Sequence, residues 1–167
     1  MSSPYVLSPE KIVSQAQLAE IVTRRQTAGE RIVFTNGVFD ILHVGHARYL
    51  AEARALGDAL VVAVNTDRSV RGIKGDLRPV VSEEERAEML GWLSCVDYVT
   101  FFETPTPVPL IEAVRPLIYA KGGDYRVEDL PETPVVRGYG GDVHILSLIQ
   151  GRSTTRIIEK IVAAYGV

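Results

Sequence analysis

"RIVFTNGVFDILHVGHARYLAEARALG", residues 31 to 57, changes its hydrophobic period in the middle. Residues 31–35 are a short run of β-branched and aromatic residues, the pattern of a buried strand, and Asn36-Gly37 is a turn signal that stops it. From His43 the apolar residues recur at helical spacing, and Gly57 closes the helix. A strand that gives way to a helix through a glycine-bearing loop is the opening unit of an α/β fold. Two of the chain's three histidines, His43 and His46, flank Gly45 in that loop, at the mouth of the helix.

The same alternation runs outward on both sides. Four further strands are predicted at 59–65, 96–101, 117–122 and 143–148, each bounded by Gly, Asp, Asn or Pro. Helices are predicted over 82–93, opened by a capping box of Ser82 and Glu85, over 108–114, and over 151–166 with Ile157, Ile158, Ile161 and Val162 on its buried side. Ahead of the first strand, residues 8–28 read as one helix, with Ser8 as its cap, Pro9 at its first position and Ile12, Leu18, Ile21 and Val22 on one face. The glycine-rich stretch 135–142 opens no helical pattern and reads as a loop. Nearly continuous apolar strands alternating with helices predict a doubly wound parallel sheet of five strands with helices on both faces, a Rossmann-like α/β domain spanning residues 1–167. In such sheets ligands bind beyond the carboxyl ends of the strands, where the strand order reverses. "HVGH", "VNTDRS", "AKGGDY" and "IQGRSTT" all follow predicted strands, so all four are candidates to line one crevice.

Composition narrows the function. The 167 residues include 18 basic and 21 acidic ones, a balance that asks for neither nucleic acid nor an anionic membrane. The N-terminal "MSSPYVLSPE" lacks the basic segment and apolar core of a signal peptide, and the apolar run 59–64 is too short to span a bilayer, so a cytoplasmic location is expected. The single Cys95 has no partner for an internal disulfide and reads as a small apolar residue near a buried strand. No P-loop, no G-x-G-x-x-G after the first strand, no G-x-S-x-G and no zinc cluster is present, which sets aside P-loop kinases, dinucleotide-dependent dehydrogenases and serine hydrolases.

What remains is a phosphate site. Helix N-termini leave backbone N–H groups unpaired and favour anions; a glycine lets backbone approach phosphate, and imidazoles donate to its oxygens. The bland alternative is that one histidine caps the helix while the other packs into the core. Arg68, Arg71, Lys74 and Arg78 form a basic segment over 67–79, expected as a mobile loop that is either solvated or closes over a triphosphate. Lys121, Gly122 and Asp124 follow the fourth strand. Arg152, Ser153, Thr154 and Thr155 open the last helix, more polar groups than a cap alone needs. No nucleophile stands among them, which suits direct transfer to a bound phosphate.

These residues resemble the nucleotidyltransferases marked by an H-x-G-H motif, a cytidylyltransferase-like family related to the class I aminoacyl-tRNA synthetase core. "GVFDILHVGH" looks like their first signature and "GRSTT" like the one that opens their last helix, about 107 residues further on. Within the family, "FTNGVFDILHVGHARYLAEARALGD", "VAVNTDRSVRGIKGDLRPV" and "YAKGGDY" are similar to adenylyltransferases that act on heptose 1-phosphate in ADP-heptose synthesis, a domain fused in many bacteria to a sugar kinase; the chain reads as the stand-alone form. Asp40-Ile41-Leu42 lacks the proline of pantetheine-phosphate and nicotinamide-mononucleotide adenylyltransferases. Glycerol-3-phosphate cytidylyltransferases share most of these motifs and are the nearest alternative. A non-catalytic nucleotide-binding module is the alternative of another class. A tRNA synthetase fragment fails on length and on the absence of a basic surface.

The resemblance implies transfer of AMP from ATP to a sugar 1-phosphate, with release of pyrophosphate. It implies that His43 and His46 hold the phosphates and stabilise the transition state, and that Lys74 binds the β- and γ-phosphates. Thr35, Asn36 and Gly37 are expected to pack a backbone turn against the nucleotide, with Phe39 and Gly45 in the same site. Arg152, Ser153, Thr154 and Thr155 are expected to receive the phosphates from the other side, with Arg86 as a further phosphate ligand. Lys121, Gly122 and Asp124 are expected at the substrate, and Asp40 either contacts substrate or orients the loop. Mg²⁺ is expected on the triphosphate without a protein metal site, and a homodimer is expected from the relatives' habit.

Overall fold

In the computed structural model, which describes residues 8–147 and 151–166, the first apolar run is the central strand of a parallel sheet. The strands are β1 (Ile32–Gly37), β2 (Ala59–Asn65), β3 (Tyr98–Phe102), β4 (Ile118–Gly122) and β5 (Asp142–Leu146), in the order 3-2-1-4-5. Helices α1 (Ser8–Lys11), α2 (Gln15–Thr27), α3 (Val44–Arg54), α4 (Asp67–Lys74), α5 (Glu83–Gly91), α6 (Val108–Val114), α7 (Thr133–Gly138) and α8 (Thr154–Tyr165) complete the described residues. This is the doubly wound α/β architecture the alternation predicts. Alternate residues of each strand feed two cores. Phe34, Val61 and Tyr119 pack with α2, α6 and α7, while Val33, Val62 and Ala120 pack with α3 and α5.

The strand order reverses between β1 and β4, and there the two strands part. They are paired only at Val33 with Ile118 and Phe34 with Tyr119, although both continue to glycines, Gly37 and Gly122. The diverging ends open a wedge, and a tyrosine fills it from each face. On the α3 side the Tyr49 hydroxyl lies 2.5 Å from Thr35 Oγ1 and donates to Ala120 O at 3.1 Å; on the α7 side Tyr119 Oη donates to Asn36 Oδ1 at 2.8 Å.

Several expectations need correction. The segment 8–28 is two helices: an isolated bridge at Ile12–Val99 interrupts it, and α2 starts after Ser14, which caps it and forms a reciprocal capping box with Gln17. Residues 67–74 are the helix α4, capped by Thr66. Residues 133–138 are the helix α7, whose proline sits in its first turn, where a missing N–H costs nothing. Thr35 to Gly37 lie within β1 and form no turn. On α8, Ile161 and Val162 are exposed, and only Ile157 and Ile158 are half-buried. Leu148 of the expected fifth strand lies outside the described residues.

Candidate active site

His43 takes the N-cap position of α3, but its ring makes no capping hydrogen bond, so the capping account of this histidine fails. Instead its ring stacks on His46, centroids 3.8 Å apart and 18° from parallel, and Phe39 meets the other side of His46 edge-on at 5.2 Å. Phe39 reaches this position from a left-handed backbone, φ 50, at the bend between β1 and α3. Gly45 has a packing reason beyond approach to phosphate: a Cβ there would lie 2.9 Å from the His43 ring and 3.4 Å from Arg152 Cβ. Its absence lets the imidazole pair and the start of α8 close on one another.

The electrostatics follow from that closeness. Burial pushes the His46 pKa down to about 4, with the neighbouring His43 adding to the shift; burial and then the Arg152 charge lower His43. Both rings are therefore neutral near pH 7, and Nδ1 of each is buried with no hydrogen-bond partner among the described residues. Neutral imidazole can still donate one hydrogen bond, and a polyanion is a ligand that would use that donor beside the Arg152 cation.

The rings face a cavity of about 390 Å³ lined also by Gly45, Lys74, Arg78, Gly122, Arg152, Ser153, Thr154 and Thr155. It lies where β1 and β4 part, as the strand-order argument requires. A larger adjoining groove of about 860 Å³ runs along α8, sharing His43, Arg152 and Ser153 and adding Arg156, Glu159 and Lys160. These last three were missed. Arg152, Arg156 and Lys160 recur every four residues, a basic stripe on one helix face that the sequence does display.

The predicted residues fall into two groups. Lys74, exposed at the end of α4, and Arg152 reach the cavity as cations. Ser153 caps α8 by accepting from Arg156 N–H at 3.2 Å, which leaves its hydroxyl hydrogen for a ligand. Thr155 is exposed at the cavity rim, Gly122 lines the wall, Lys121 is half-buried on β4, and Asp124 is exposed beyond it. Thr154 is buried and joins the two loops: its hydroxyl donates to Ile41 O at 3.3 Å and accepts from Ile41 N at 3.4 Å.

Arg86 does not serve as expected, and Asp40 takes the loop-orienting one of its two expected roles. Arg86 is fully buried and donates to Val81 O, Val38 O, Asn65 O and Asp67 Oδ1, so its guanidinium is spent holding strand ends together and no phosphate reaches it. Asp40 lines the cavity, yet its carboxylate accepts from Arg78 Nε at 2.6 Å and from the amides of Val80 and Val81 at 2.8 and 2.9 Å. It holds the segment after α4 in place, with its side chain buried. Thr35 likewise gives its hydroxyl to Tyr49. Among the described residues no group of three His, Cys, Asp or Glu side chains is placed to hold a metal ion.

A stacked imidazole pair, Lys74 and a basic helix start thus converge at the switch point of a parallel sheet. The chain belongs to the cytidylyltransferase-like family, matching it over residues 34–160. It is 49% identical over 156 residues to the bifunctional protein HldE of Geobacter sulfurreducens, an alignment covering 93% of this chain and 32% of that protein. The chain thus spans about a third of the length of the curated relatives it matches. Among solved structures it is similar to the lipopolysaccharide core biosynthesis protein of Thermoplasma volcanium, at 31% identity and TM-score 0.60, covering 74% of this chain and all of that one. Pantothenate synthetase of Thermus thermophilus shares the fold, with TM-score 0.61 at 16% identity over 93% of this chain and 76% of that one.

Proposed function

We propose that this chain transfers AMP from ATP to D-glycero-D-manno-heptose 1-phosphate, giving ADP-heptose and pyrophosphate. The observation that carries the reading is the single cavity into which His43, His46, Lys74 and Arg152 converge. An oxygen of the sugar phosphate attacks the α-phosphorus of ATP in line; the P–O bond to the β-phosphate breaks, and pyrophosphate leaves on the opposite side. Little covalent chemistry is asked of the protein, so its work is to position two anions and stabilise charge on a five-coordinate phosphorus. The imidazoles donate to α-phosphate oxygens, Lys74 neutralises the leaving pyrophosphate, and Arg152 with Ser153 holds the phosphates from the α8 side. The groove along α8 has room for the nucleoside.

Mg²⁺ belongs with the ATP as part of the substrate. Among the described residues Asp40 is the one carboxylate that lines the cavity, and it is bound by Arg78 and two amides, so a lone, engaged carboxylate does not fit a resident ion. The likeness to a lipopolysaccharide core biosynthesis protein and to HldE supports heptose as the acceptor. No helix among the described residues is long and apolar enough to cross a membrane, in keeping with a cytoplasmic enzyme, and a homodimer is the assembly we expect.

The test is pyrophosphate release with Mg²⁺, offering both anomers of the heptose phosphate and glycerol 3-phosphate, each with ATP, CTP and GTP. Turnover with heptose phosphate and ATP is expected. Turnover only with glycerol 3-phosphate and CTP would move the chain to the cytidylyltransferase branch, and nucleotide binding without pyrophosphate release would make it a binding module.

A further inference from the structure

Segment 67–79 carries Arg68, Arg71, Lys74 and Arg78, and of these only Arg78 is largely buried. Arg68 lies at the surface beside Glu103, and Arg71 and Lys74 are exposed. The Arg78 side chain is 17% exposed and lines the cavity shared by His43, His46, Lys74 and Arg152, yet the reaction above gives it no task.

A carboxylate from the histidine loop holds it there. Arg78 Nε donates to Asp40 Oδ2 at 2.6 Å, and Asp40 Oδ1 accepts from the amides of Val80 and Val81, so both carboxylate oxygens are tied to the stretch 78–81. The Asp40 side chain is itself 1% exposed, which makes it a fixed anchor. Only Nε of the guanidinium is engaged: among the described residues neither terminal nitrogen has a hydrogen bond or ion pair. Arg86 shows the contrast, with all three nitrogens spent on three carbonyls and Asp67. The two terminal nitrogens of arginine form a planar fork that matches two oxygens of one phosphate. A guanidinium pinned at Nε in a cavity wall, with that fork unspent, is arranged to receive an anion.

We propose that Arg78 is a catalytic residue that grips a phosphate of the bound substrates through its terminal nitrogens, and that Asp40 is its positioning residue. This rests on the functional reading above, in which two phosphate substrates meet in this cavity. The leaving pyrophosphate and the acceptor's phosphate share the required chemistry, and the reverse reaction separates them.

The experiment compares wild type, Arg78→Ala, Arg78→Gln, Arg78→Lys, Asp40→Asn and the double variant Asp40→Asn/Arg78→Ala. Each is assayed forward and in reverse from ADP-heptose and pyrophosphate, with thermal unfolding alongside. Arg78→Ala is expected to lower forward kcat/KM by about 10² or more, and Arg78→Lys to recover less than about tenfold of it, because an ammonium has no fork. A grip on the leaving group raises KM for pyrophosphate and leaves KM for heptose phosphate within about twofold; a grip on the acceptor gives the opposite pattern. Asp40→Asn is expected to lose about tenfold by itself and nothing further in the Arg78→Ala background, since an anchor acts only through what it holds. Arg78→Gln keeps a donor toward Asp40 without the fork, and it carries the test if Arg78→Ala fails to fold. Wild-type kcat/KM in a folded Arg78→Ala or Arg78→Gln would overturn the assignment, and losses that multiply in the double variant would overturn the role of Asp40. Turnover of a different acceptor or nucleotide by the wild type would overturn the functional reading, and the same variants then test Arg78 on that pair. Nucleotide binding without pyrophosphate release from any pair would overturn both.

Discussion

His46 carries its ring half-buried against Phe39 and stacked on His43, where a charged imidazole is disfavoured and a neutral donor is kept aimed at the cavity. As a preorganised donor to the transition state it should matter to kcat more than to substrate binding: His46→Ala is expected to lower kcat by about 10² to 10³. An unchanged kcat in a folded variant would return this histidine to a packing role. Its titration also marks acid stability. The folded pKa is about 4 against an ordinary 6.5, so the unfolded chain binds more protons between those values. The stability tied to neutral His46 is complete above about pH 6.5 and is lost as pH falls toward 4. Melting curves from pH 7.5 to 4.5 should show a steeper fall in Tm for wild type than for His46→Gln; parallel curves would show that another group senses the acid. Arg86 presents the opposite case, a cation with no contact to the cavity. Arg86→Ala strands Asp67 and three carbonyls, and should cost roughly 3 kcal/mol in denaturant unfolding, the scale of breaking a buried charge pair. A stable Arg86→Ala protein with a raised KM for ATP would restore it as a phosphate ligand.

Between elements, the decisive fit is that of α3 against the start of α8. Gly45→Ala improves helix propensity, but its Cβ would come within 2.9 Å of the His43 ring, a flexible end that can rotate away. Tm should therefore change by only a degree or two while kcat falls at least tenfold, as His43 leaves its stack. A large loss of both would mean that the backbone of α8 moves instead. This fit also shows why only part of the site was legible. The strand periods, most of the helix periods and the placing of the loops after the strands on one sheet edge are local patterns and read correctly, whereas Asn36-Gly37, expected as a turn, continues β1. The ring of His43 lying over Gly45, the capture of Asp40 by Arg78 and the burial of Arg86 depend on segments 38 to 48 residues apart in sequence for the polar pairs, and no period encodes them. Charge alone misled at Arg86, where basicity signalled phosphate and burial decided otherwise. Helix α4 is masked in the sequence by its glycine and its polar surface, and the basic stripe on α8 shares its helix with an apolar one.

For the molecule as a whole, the cavity exists only because distant parts of the chain meet. β1 and β4 are in ladder register at two residue pairs, and Thr154 reaches Ile41 across 113 positions to join the histidine loop to α8. Anything that binds this junction binds the folded state alone, so Mg-ATP at a hundred times its Kd should stabilise the protein by about 2.7 kcal/mol and raise Tm. The same stabilisation should vanish in Thr154→Val if that bond is what assembles the pocket. The connection has a further consequence during synthesis. A ribosome delivers the histidines early and α8 late, so the emerging chain holds half a pocket until residue 154 is free to fold back on residue 41. Nucleotide cannot template the early stages of folding; it can reward only a finished molecule, and a nascent chain cut short before α8 would gain nothing from the cell's ATP.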